Sequence, residues 1–313
     1  MSPRNKRKLK KAVLIPTYSL LMLLKTLTDF FRRGQHLPSE PIVINPNEIR
    51  IWMVGHATVL INFFGITILT DPVLVMSLPI PKRRIVHGYK AEELPPIDYI
   101  IISHAHLDHF DLRSLRMLVN KTKTIIIPKE CSDLIEKMPF KSTTELHWGE
   151  ILKNNELTVT SYQPEHWGKR VPWERQNRGY NCYTFERNGR TIFFGGDTAY
   201  GQHFKKIGQN HQIDIALLPI SAYKPMFMEL HHMNPLEALD AFKDLKSEHC
   251  IPIHWGSFRL TLERMDEPPR LFKDQAERDG IANRTHILPN GKSFSLPGIF
   301  ETDNNLQIKT ALI

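Results

Sequence analysis

Short apolar runs bounded by glycine, proline and asparagine recur along most of the chain. Continuous runs rich in β-branched residues, such as Asp98–Ser103, are typical of buried strands. The runs that predict strands are Ile49–Met53, Thr58–Phe63, Thr67–Thr70, Asp98–Ser103, Thr124–Pro128, Leu157–Tyr162, Cys182–Glu186, Thr191–Phe194, Ile215–Pro219 and Cys250–His254. Helical periodicity predicts helices over Asp111–Asn120, Pro235–Leu245 and Pro269–Asp279. Strands in two halves with interspersed helices favour two sheets packed face to face, with helices outside.

The N-terminal segment, residues 1–37, has a different pattern. Its apolar stretch Ala12–Leu24 is shorter than the roughly 20 apolar residues that a membrane span needs. Wound as a helix, the segment has an apolar face opposite a charged one. The apolar face consists of Leu20, Leu23, Leu24, Leu27, Phe30 and Phe31. We expect an anchor lying on an anionic membrane surface, on its cytoplasmic face, because cations flank the apolar face. A helix packed on the domain is the main alternative, followed by a signal peptide or a true span.

The charge of the chain is concentrated in the same segment. The 313 residues carry a formal net charge of +8. Residues 1–33 contain nine basic residues and one acidic residue, so the remainder is neutral. A neutral body lacks the basic surface that nucleic-acid binding requires, and we expect no nucleic-acid partner. With 41% hydrophobic residues the chain can build a core. We predict one folded domain over residues 38–300 and a C-terminal tail over residues 301–313.

A dense group of metal-binding residue types follows the predicted strand that ends at Ser103. The motif HAHLDHFD supplies three imidazoles and a carboxylate. A loop there can direct His104 and His106 toward one point, and Asp108 with His109 toward a second. Imidazole and carboxylate donors without thiolate suit zinc, and iron or manganese also fit. The three cysteines form no C-x-x-C pair and argue against a thiolate site. A polar loop with surface histidines is the alternative.

Three further candidate ligands follow later predicted strands. His166 lies beyond Leu157–Tyr162, and Asp197 follows Thr191–Phe194 after two glycines. His254 ends the strand that begins at Cys250. Ligands on rigid strand ends are held in place best, and the two glycines allow the backbone to approach a metal closely. Asp197 has the character of a carboxylate that bridges two cations.

Together these residues resemble the metallo-β-lactamase superfamily of hydrolases. Four segments narrow the resemblance to the N-acylphosphatidylethanolamine-hydrolysing phospholipase D family and its sugar-lactone-cleaving relatives. These segments are Gly55–Val73, Glu93–Asp111, Gly195–Gly201 and His231–Ala238. The similarity covers about residues 46–296. It implies an α/β fold, the αββα sandwich, in which two packed mixed β-sheets are flanked by helices.

The resemblance also implies a dinuclear zinc site. The implied ligands are His104, His106 and His166 for one ion and Asp108, His109 and His254 for the other, with Asp197 bridging both. A hydroxide shared by the two ions would attack a phosphodiester in line or a lactone at its carbonyl. The resemblance assigns catalytic roles to Asp108 and His232. Of these, His232 would bind or orient the phosphate. A capping or packing role before the Pro235 helix is the alternative for His232.

Two further residues match the family near the site. His56 follows a predicted strand and could orient a ligand, but we favour a satisfied core histidine at this position. Asp71 would organise the site rather than bind metal. One departure is Ala199, where many relatives are expected to have glycine.

Three weaker features favour a lipid phosphodiester as substrate. They are the family resemblance, the basic N-terminal segment, and an apolar loop next to His232 whose Met226, Phe227 and Met228 could accommodate acyl chains. We therefore expect a phosphodiesterase of the phospholipase D type that acts on N-acylphosphatidylethanolamine-like membrane phospholipids, and a homodimer is allowed. A lactone-cleaving hydrolase of the same fold is the alternative, followed by an RNA-processing nuclease.

Overall fold

The computed structural model describes residues 34–78, 81–154, 156–171 and 173–298. Within them the strands are β1 (Glu48–Gly55), β2 (Thr58–Phe63), β3 (Ile66–Thr70), β4 (Ile97–Ile101), β5 (Thr122–Pro128), β6 (Ser142–Leu146), β7 (Ile151–Lys153), β8 (Thr158–Tyr162), β9 (Cys182–Arg187), β10 (Arg190–Phe194), β11 (Ile215–Pro219), β12 (His249–Ile253) and β13 (Ser293–Pro297). The α-helices are α1 (Leu112–Leu118), α2 (Gln202–Asn210), α3 (Pro235–Asp244) and α4 (Glu267–Arg278). Short 3₁₀ turns cover Val119–Lys121, Ser132–Leu134, Met226–Leu230 and Ala282–Arg284.

The strands form two mixed sheets, and each sheet has one parallel part and one antiparallel part. The first has the order β13-β1-β2-β3-β4-β5-β6. It is antiparallel from β13 to β3 and parallel from β3 to β6. The second has the order β12-β11-β10-β9-β8-β7, parallel from β12 to β10 and antiparallel from there to β7. Parallel neighbours end at a common edge, so the loops that follow them are gathered together.

The main core lies between the two sheets. Ile51 and Phe63 of the first sheet belong to the same buried cluster as Phe185, Phe194 and Leu217 of the second. A separate cluster packs α1 against the outer face of the first sheet. Another packs α2, α3 and α4 against the outer face of the second. Both sheets are therefore covered on both sides, which explains why their central strands are continuous apolar runs.

The predicted αββα sandwich is confirmed, and each strand and helix predicted within the described residues has a counterpart. The first turn of α3 is closed by a capping box, in which the Asn234 side chain accepts from the backbone of Glu237 and the Glu237 side chain accepts in return. The predicted helix Pro269–Asp279 begins two residues too late, since α4 starts at Glu267.

Four elements had not been predicted. β6 and β7 are short and mostly exposed or half-buried, so neither has an apolar face to detect. α2 is a polar helix in which Phe204, Ile207 and Gly208 are the buried residues. In β13, apolar and polar residues alternate, and the apolar Phe294 and Leu296 pack on the core. This period of two could have been recognised in the sequence.

The amphipathic pattern of residues 1–33 and the tail at 301–313 lie outside the described residues. The domain boundaries at residues 37 and 300 stay predictions. Among the described helices, none combines the length and the apolar character needed to cross a bilayer.

Candidate metal centre

Loops after four strands bring the predicted ligands together at one edge of the sandwich. The loop after β4 carries His104, His106, Asp108 and His109. The other three candidates, His166, Asp197 and His254, follow β8, β10 and β12. All seven belong to clusters whose ligand atoms lie within 4.8 Å of one another. Both sheets therefore contribute to a single centre.

The first cluster contains three imidazoles and one carboxylate. His104, His106, His166 and Asp197 form it. The Nδ1 atom of His106 lies 2.7 Å from Nε2 of His104 and 3.3 Å from Nε2 of His166. Three ring nitrogens thus converge on one point, as the ligands of a single cation would.

The second cluster consists of His56, Asp108, His109 and His254, and the Asp197 carboxylate of the first cluster lies against it. Nε2 of His109 lies 3.3 Å from Oδ2 of Asp197, and Nε2 of His254 lies 3.2 Å from its Oδ1. Oδ2 of Asp108 is 3.6 Å from the same nitrogen of His109 and 3.5 Å from that of His254. Asp197 therefore stands between the two groups of ligands, where a bridging carboxylate is required.

Apart from the 2.7 Å between the rings of His104 and His106, these separations of 3.2–3.6 Å are close to those of tetrahedral coordination. A zinc ion about 2.1 Å from each of four nitrogen or oxygen ligands sets neighbouring ligand atoms about 3.4 Å apart. Moreover, among the described residues Nε2 of His109, Nε2 of His254 and Oδ1 of Asp197 are buried without a hydrogen-bond partner. Buried polar atoms are normally paired, so this group of orphans needs a ligand such as a cation. The donor set fits the implied metals, although metal binding by these residues stays a prediction.

A buried network fixes the rings of His104 and His109. Nδ1 of His109 is 2.7 Å from Oδ2 of Asp71, and both side chains are fully buried. The Ser103 hydroxyl donates to the same Asp71 oxygen at 2.6 Å and lies 2.9 Å from Nδ1 of His104. Donation through Nδ1 leaves each Nε2 lone pair aimed at the cluster. Asp71 thus contacts the His109 ring directly and the His104 ring through Ser103, and it does not belong to either ligand cluster.

A backbone carbonyl performs the same function for His166. Nδ1 of His166 lies 2.9 Å from the carbonyl oxygen of His231. This partner had not been predicted, because a backbone carbonyl has no signature in the sequence. Ser103, by contrast, could have been recognised as the polar end of an apolar strand.

His56 contacts Asp108 from the β1–β2 turn. Its Nε2 lies 3.1 Å from Oδ2 of Asp108. Its Nδ1 is buried without a partner, so His56 is not a satisfied core histidine. Its backbone carbonyl accepts a hydrogen bond from the amide of His254 at 3.0 Å. His254 has a left-handed φ of 63°, a strained conformation of the kind that concentrates at functional sites.

His232 lies against the centre and does not cap α3. The cap is supplied by Asn234. Nδ1 of His232 is 3.6 Å from Oδ2 of Asp197 and has no hydrogen-bond partner. With Asp197 and His254 it also forms a third group that could hold a cation. The ring is therefore placed to contact either a metal or a ligand bound beside it.

Burial sets the protonation state of the rings. Loss of hydration, together with neighbouring imidazoles, lowers the pKa of His104 and His166 well below its usual value. Burial likewise lowers the pKa of His106 and His232 to about 4. These rings are neutral at physiological pH, the state that metal binding requires. Burial would also lower the pKa of His109, but the three surrounding carboxylates raise it well above its usual value. The carboxylates therefore favour a cation at this point.

Gly196 has a different role from the one expected. It has a left-handed φ of 56°, and a Cβ atom there would lie 2.5 Å from Cβ of Ser103. The glycine makes room for Ser103 and so brings the end of β10 against the end of β4. The close approach that it permits is between two segments of the protein, not between backbone and metal.

An apolar 3₁₀ turn lies next to the centre, because the amides of His231 and His232 donate to the carbonyl oxygen of Met228 within it. Met226 and Leu230 are 80% and 70% exposed, and Phe227 and Met228 are partly buried. We call Met226–Leu230 the lip, because His231 and His232 follow it directly. The Trp167 ring lies 4.5 Å from the His106 ring and borders the centre. Trp255 instead packs against the outer cluster of the second sheet.

Fold and site together define a metal-dependent hydrolase, and comparison with known proteins agrees. The chain belongs to the β-lactamase superfamily, because residues 67–255 match the family described as Beta-lactamase superfamily domain. It is 32% identical over 243 residues to N-acyl-phosphatidylethanolamine-hydrolyzing phospholipase D 1 of Caenorhabditis elegans, a match that covers 71% of this chain and 68% of that one.

More distant relatives share the same fold. A UPF0173 metal-dependent hydrolase of Methanopyrus kandleri is 24% identical over 248 residues, covering 79% of this chain and 99% of that one. The solved structure of Igni18, a metallo hydrolase from Ignicoccus hospitalis, aligns with a TM-score of 0.64 and 20% identity. That alignment covers 80% of this chain and 98% of the archaeal one.

Proposed function

We propose that the protein is a phosphodiesterase of the phospholipase D type that hydrolyses N-acylphosphatidylethanolamine-like membrane phospholipids with two zinc ions. The observation that carries the proposal is the exposed apolar lip directly beside a site with two ligand clusters. A soluble substrate gives no reason to expose Met226 and Leu230 next to the centre, whereas a lipid substrate does. The similarity to the nematode phospholipase D supports the same substrate class.

The chain's own residues define what each part of the site would do. His104, His106 and His166 would hold one ion, Asp108, His109 and His254 the other, and Asp197 both. Two such ions supply, when bound, an activated water and positive charge for the phosphate. Asp108 lies at the accessible side of its cluster, with its side chain 15% exposed, whereas those of His109 and His254 are fully buried. Asp108 is therefore placed to orient the attacking water as well as to bind metal.

His232 would contact the phosphate. Its ring borders Asp197 with an unpartnered Nδ1, as a group that awaits a ligand would. A neutral imidazole can donate one hydrogen bond to a phosphate oxygen, and such a bond matters most where charge develops in the transition state.

A panel of substrates tests the proposal. Purified zinc-loaded protein is assayed on N-acylphosphatidylethanolamine, bis-p-nitrophenyl phosphate, a sugar lactone and a β-lactam. We expect hydrolysis of both phosphodiesters, with phosphatidic acid and N-acylethanolamine as the lipid products. Rapid lactone or β-lactam hydrolysis without phosphodiesterase activity would overturn the proposal and favour the lactone-cleaving alternative.

We also propose that residues 1–37 hold the enzyme on the cytoplasmic face of a membrane. The proposal rests on the nine basic residues and the apolar face of that segment. Full-length protein should sediment with vesicles that contain anionic phospholipids, more weakly with zwitterionic vesicles, and weakly after deletion of residues 1–33. Equal sedimentation of the full-length and truncated proteins would contradict the anchor.

A further inference from the structure

An aromatic groove opens beside the metal centre and is not used by any step described above. Its volume is about 460 Å³, within the usual range of small-molecule sites. Trp148, Trp167 and Tyr180 supply its walls, and Lys129 and Lys169 lie at its rim. The Trp148 and Tyr180 rings are 5.1 Å apart, and Nε1 of Trp148 donates to the Tyr180 carbonyl. The groove shares no residue with the lip.

The groove is adjacent to the metal centre, and two contacts join its walls to candidate ligands. The ring of Trp167 packs edge to face on His106, with centroids 4.5 Å apart. Tyr180 forms an isolated β-bridge with His104. Trp167 and Tyr180, two of the three walls, are thereby each joined to one candidate ligand of the first cluster. A molecule whose phosphate lies at the metals could extend directly into the groove.

The floor of the groove is preformed. A Cβ atom on Gly168 would lie 2.1 Å from the carbonyl oxygen of Arg178, so the two segments are in direct backbone contact. The buried Arg178 side chain forms ion pairs with Asp133 at 2.6 Å and Glu174 at 2.8 Å. Because these contacts fix the floor without a ligand, little ordering is needed when an apolar chain enters.

The charges at the rim favour an uncharged headgroup. Neither Lys129 nor Lys169 has an ion pair with any residue in the described ranges, and Glu130 is the acidic residue that lines the groove. An unacylated ethanolamine carries an ammonium group, which these lysines and the cations at the centre would repel. An N-acylated ethanolamine is a neutral amide with an apolar chain. It matches both the charge and the aromatic walls.

We propose that this groove binds the N-acyl chain of the phospholipid substrate, while the diacylglycerol part stays at the lip. The inference rests on the proposed function. A phosphodiester with apolar chains on both of its ester oxygens requires two separate apolar surfaces next to the metals. The lip and the groove are two such surfaces.

A chain-length series with one groove variant tests the proposal. Substrates with the same short diacylglycerol part and an N-acetyl, N-octanoyl or N-palmitoyl group are compared in wild type and in Trp148→Ala. Each methylene that becomes buried contributes about fourfold to kcat/KM in the wild type. We expect the variant to lose about 10-fold or more on the N-palmitoyl substrate, and less than about twofold on the N-acetyl substrate. Trp173→Ala is the matched control, since Trp173 is 80% exposed and does not line the groove.

Equal losses of kcat/KM on all three substrates, or a chain-length dependence unchanged by Trp148→Ala, would contradict the binding of the N-acyl chain in the groove. Calorimetric titration of N-palmitoylethanolamine, the expected product, separates this failure from that of the proposed function. Product binding that Trp148→Ala weakens would support the groove even if no N-acylated lipid is hydrolysed. Absence of product binding to the wild type would contradict the proposed N-acyl site even if the lipid is hydrolysed.

Discussion

Asp71 and His109 form a fully buried pair in which Nδ1 of the ring is 2.7 Å from Oδ2 of the carboxylate. The same carboxylate accepts from the Ser103 amide at 2.7 Å and from the Ser103 hydroxyl at 2.6 Å. One side chain at the end of β3 therefore orients ligands that follow β4. Its position in the first sheet makes the geometry of the centre depend on the register of two neighbouring strands.

Replacement of this carboxylate tests that dependence. In Asp71→Asn one acceptor oxygen becomes an amide group, which must face either the Ser103 N–H or both the Ser103 hydroxyl and Nδ1 of His109. Loss of such an outer contact typically costs 10–100-fold in metal affinity or activity, and we expect a loss in that range. Metal content by mass spectrometry and turnover of bis-p-nitrophenyl phosphate measure it.

Asp98→Asn is the matched control at the opposite end of β4. The Asp98 carboxylate accepts from the amide and hydroxyl of Thr67, both at 2.8 Å, and is remote from the ligands. This variant should alter stability while it keeps metal and activity. If both variants lose metal equally, the Asp71 substitution acts by destabilising the sheet in general and not through its contacts with Ser103 and His109.

His232→Gln distinguishes a phosphate contact from a metal ligand. We expect an unchanged metal content and a fall in kcat of about 100-fold, the usual cost of one donor to a developing oxyanion. His231→Gln, at the adjacent residue, is the control, because it keeps the backbone carbonyl that accepts from His166. Loss of one metal equivalent in His232→Gln would instead make His232 a ligand, consistent with its group with Asp197 and His254.

The candidate centre was more predictable from the sequence than the elements around it. Strands buried on both faces, such as β4 and β11, are continuous apolar runs, and their polar ends marked the ligand loops. β6 and β7 are mostly exposed or half-buried, α2 is polar with three buried residues, and none of the three has a continuous apolar run. The groove beyond Trp167 depends on tertiary contacts between segments far apart in the chain, so no local pattern could reveal it.

Asp197→Asn should remove metal and activity together. Its carboxylate oxygens lie 3.2 Å from the His254 ring and 3.3 Å from the His109 ring, and the side chain also belongs to the first cluster. An amide keeps the volume but offers a single neutral acceptor, so neither ion retains its shared anionic ligand. Metal analysis and phosphodiesterase assays report the result. Asp240→Asn, on the exposed side of α3, should change neither. Retained turnover in an Asp197→Asn protein free of metal would contradict the whole mechanism.

Metal removal should destabilise the folded domain. Without cations the Asp108 and Asp197 carboxylates share a buried space with His109 and His254, whose Nε2 atoms have no hydrogen-bond partner among the described residues. An ion present at 100 to 1,000 times its Kd adds about 3–4 kcal/mol to the free energy of unfolding. For a domain of this size that corresponds to a rise in Tm of about 5–15 °C for each ion. Differential scanning calorimetry before and after chelation, and again after zinc is restored, measures the change. Asp197→Asn serves as the control, since chelation should scarcely shift its Tm. An equal shift in that variant would mean that the chelator acts elsewhere in the protein, because the shared ligand of the two clusters is already absent.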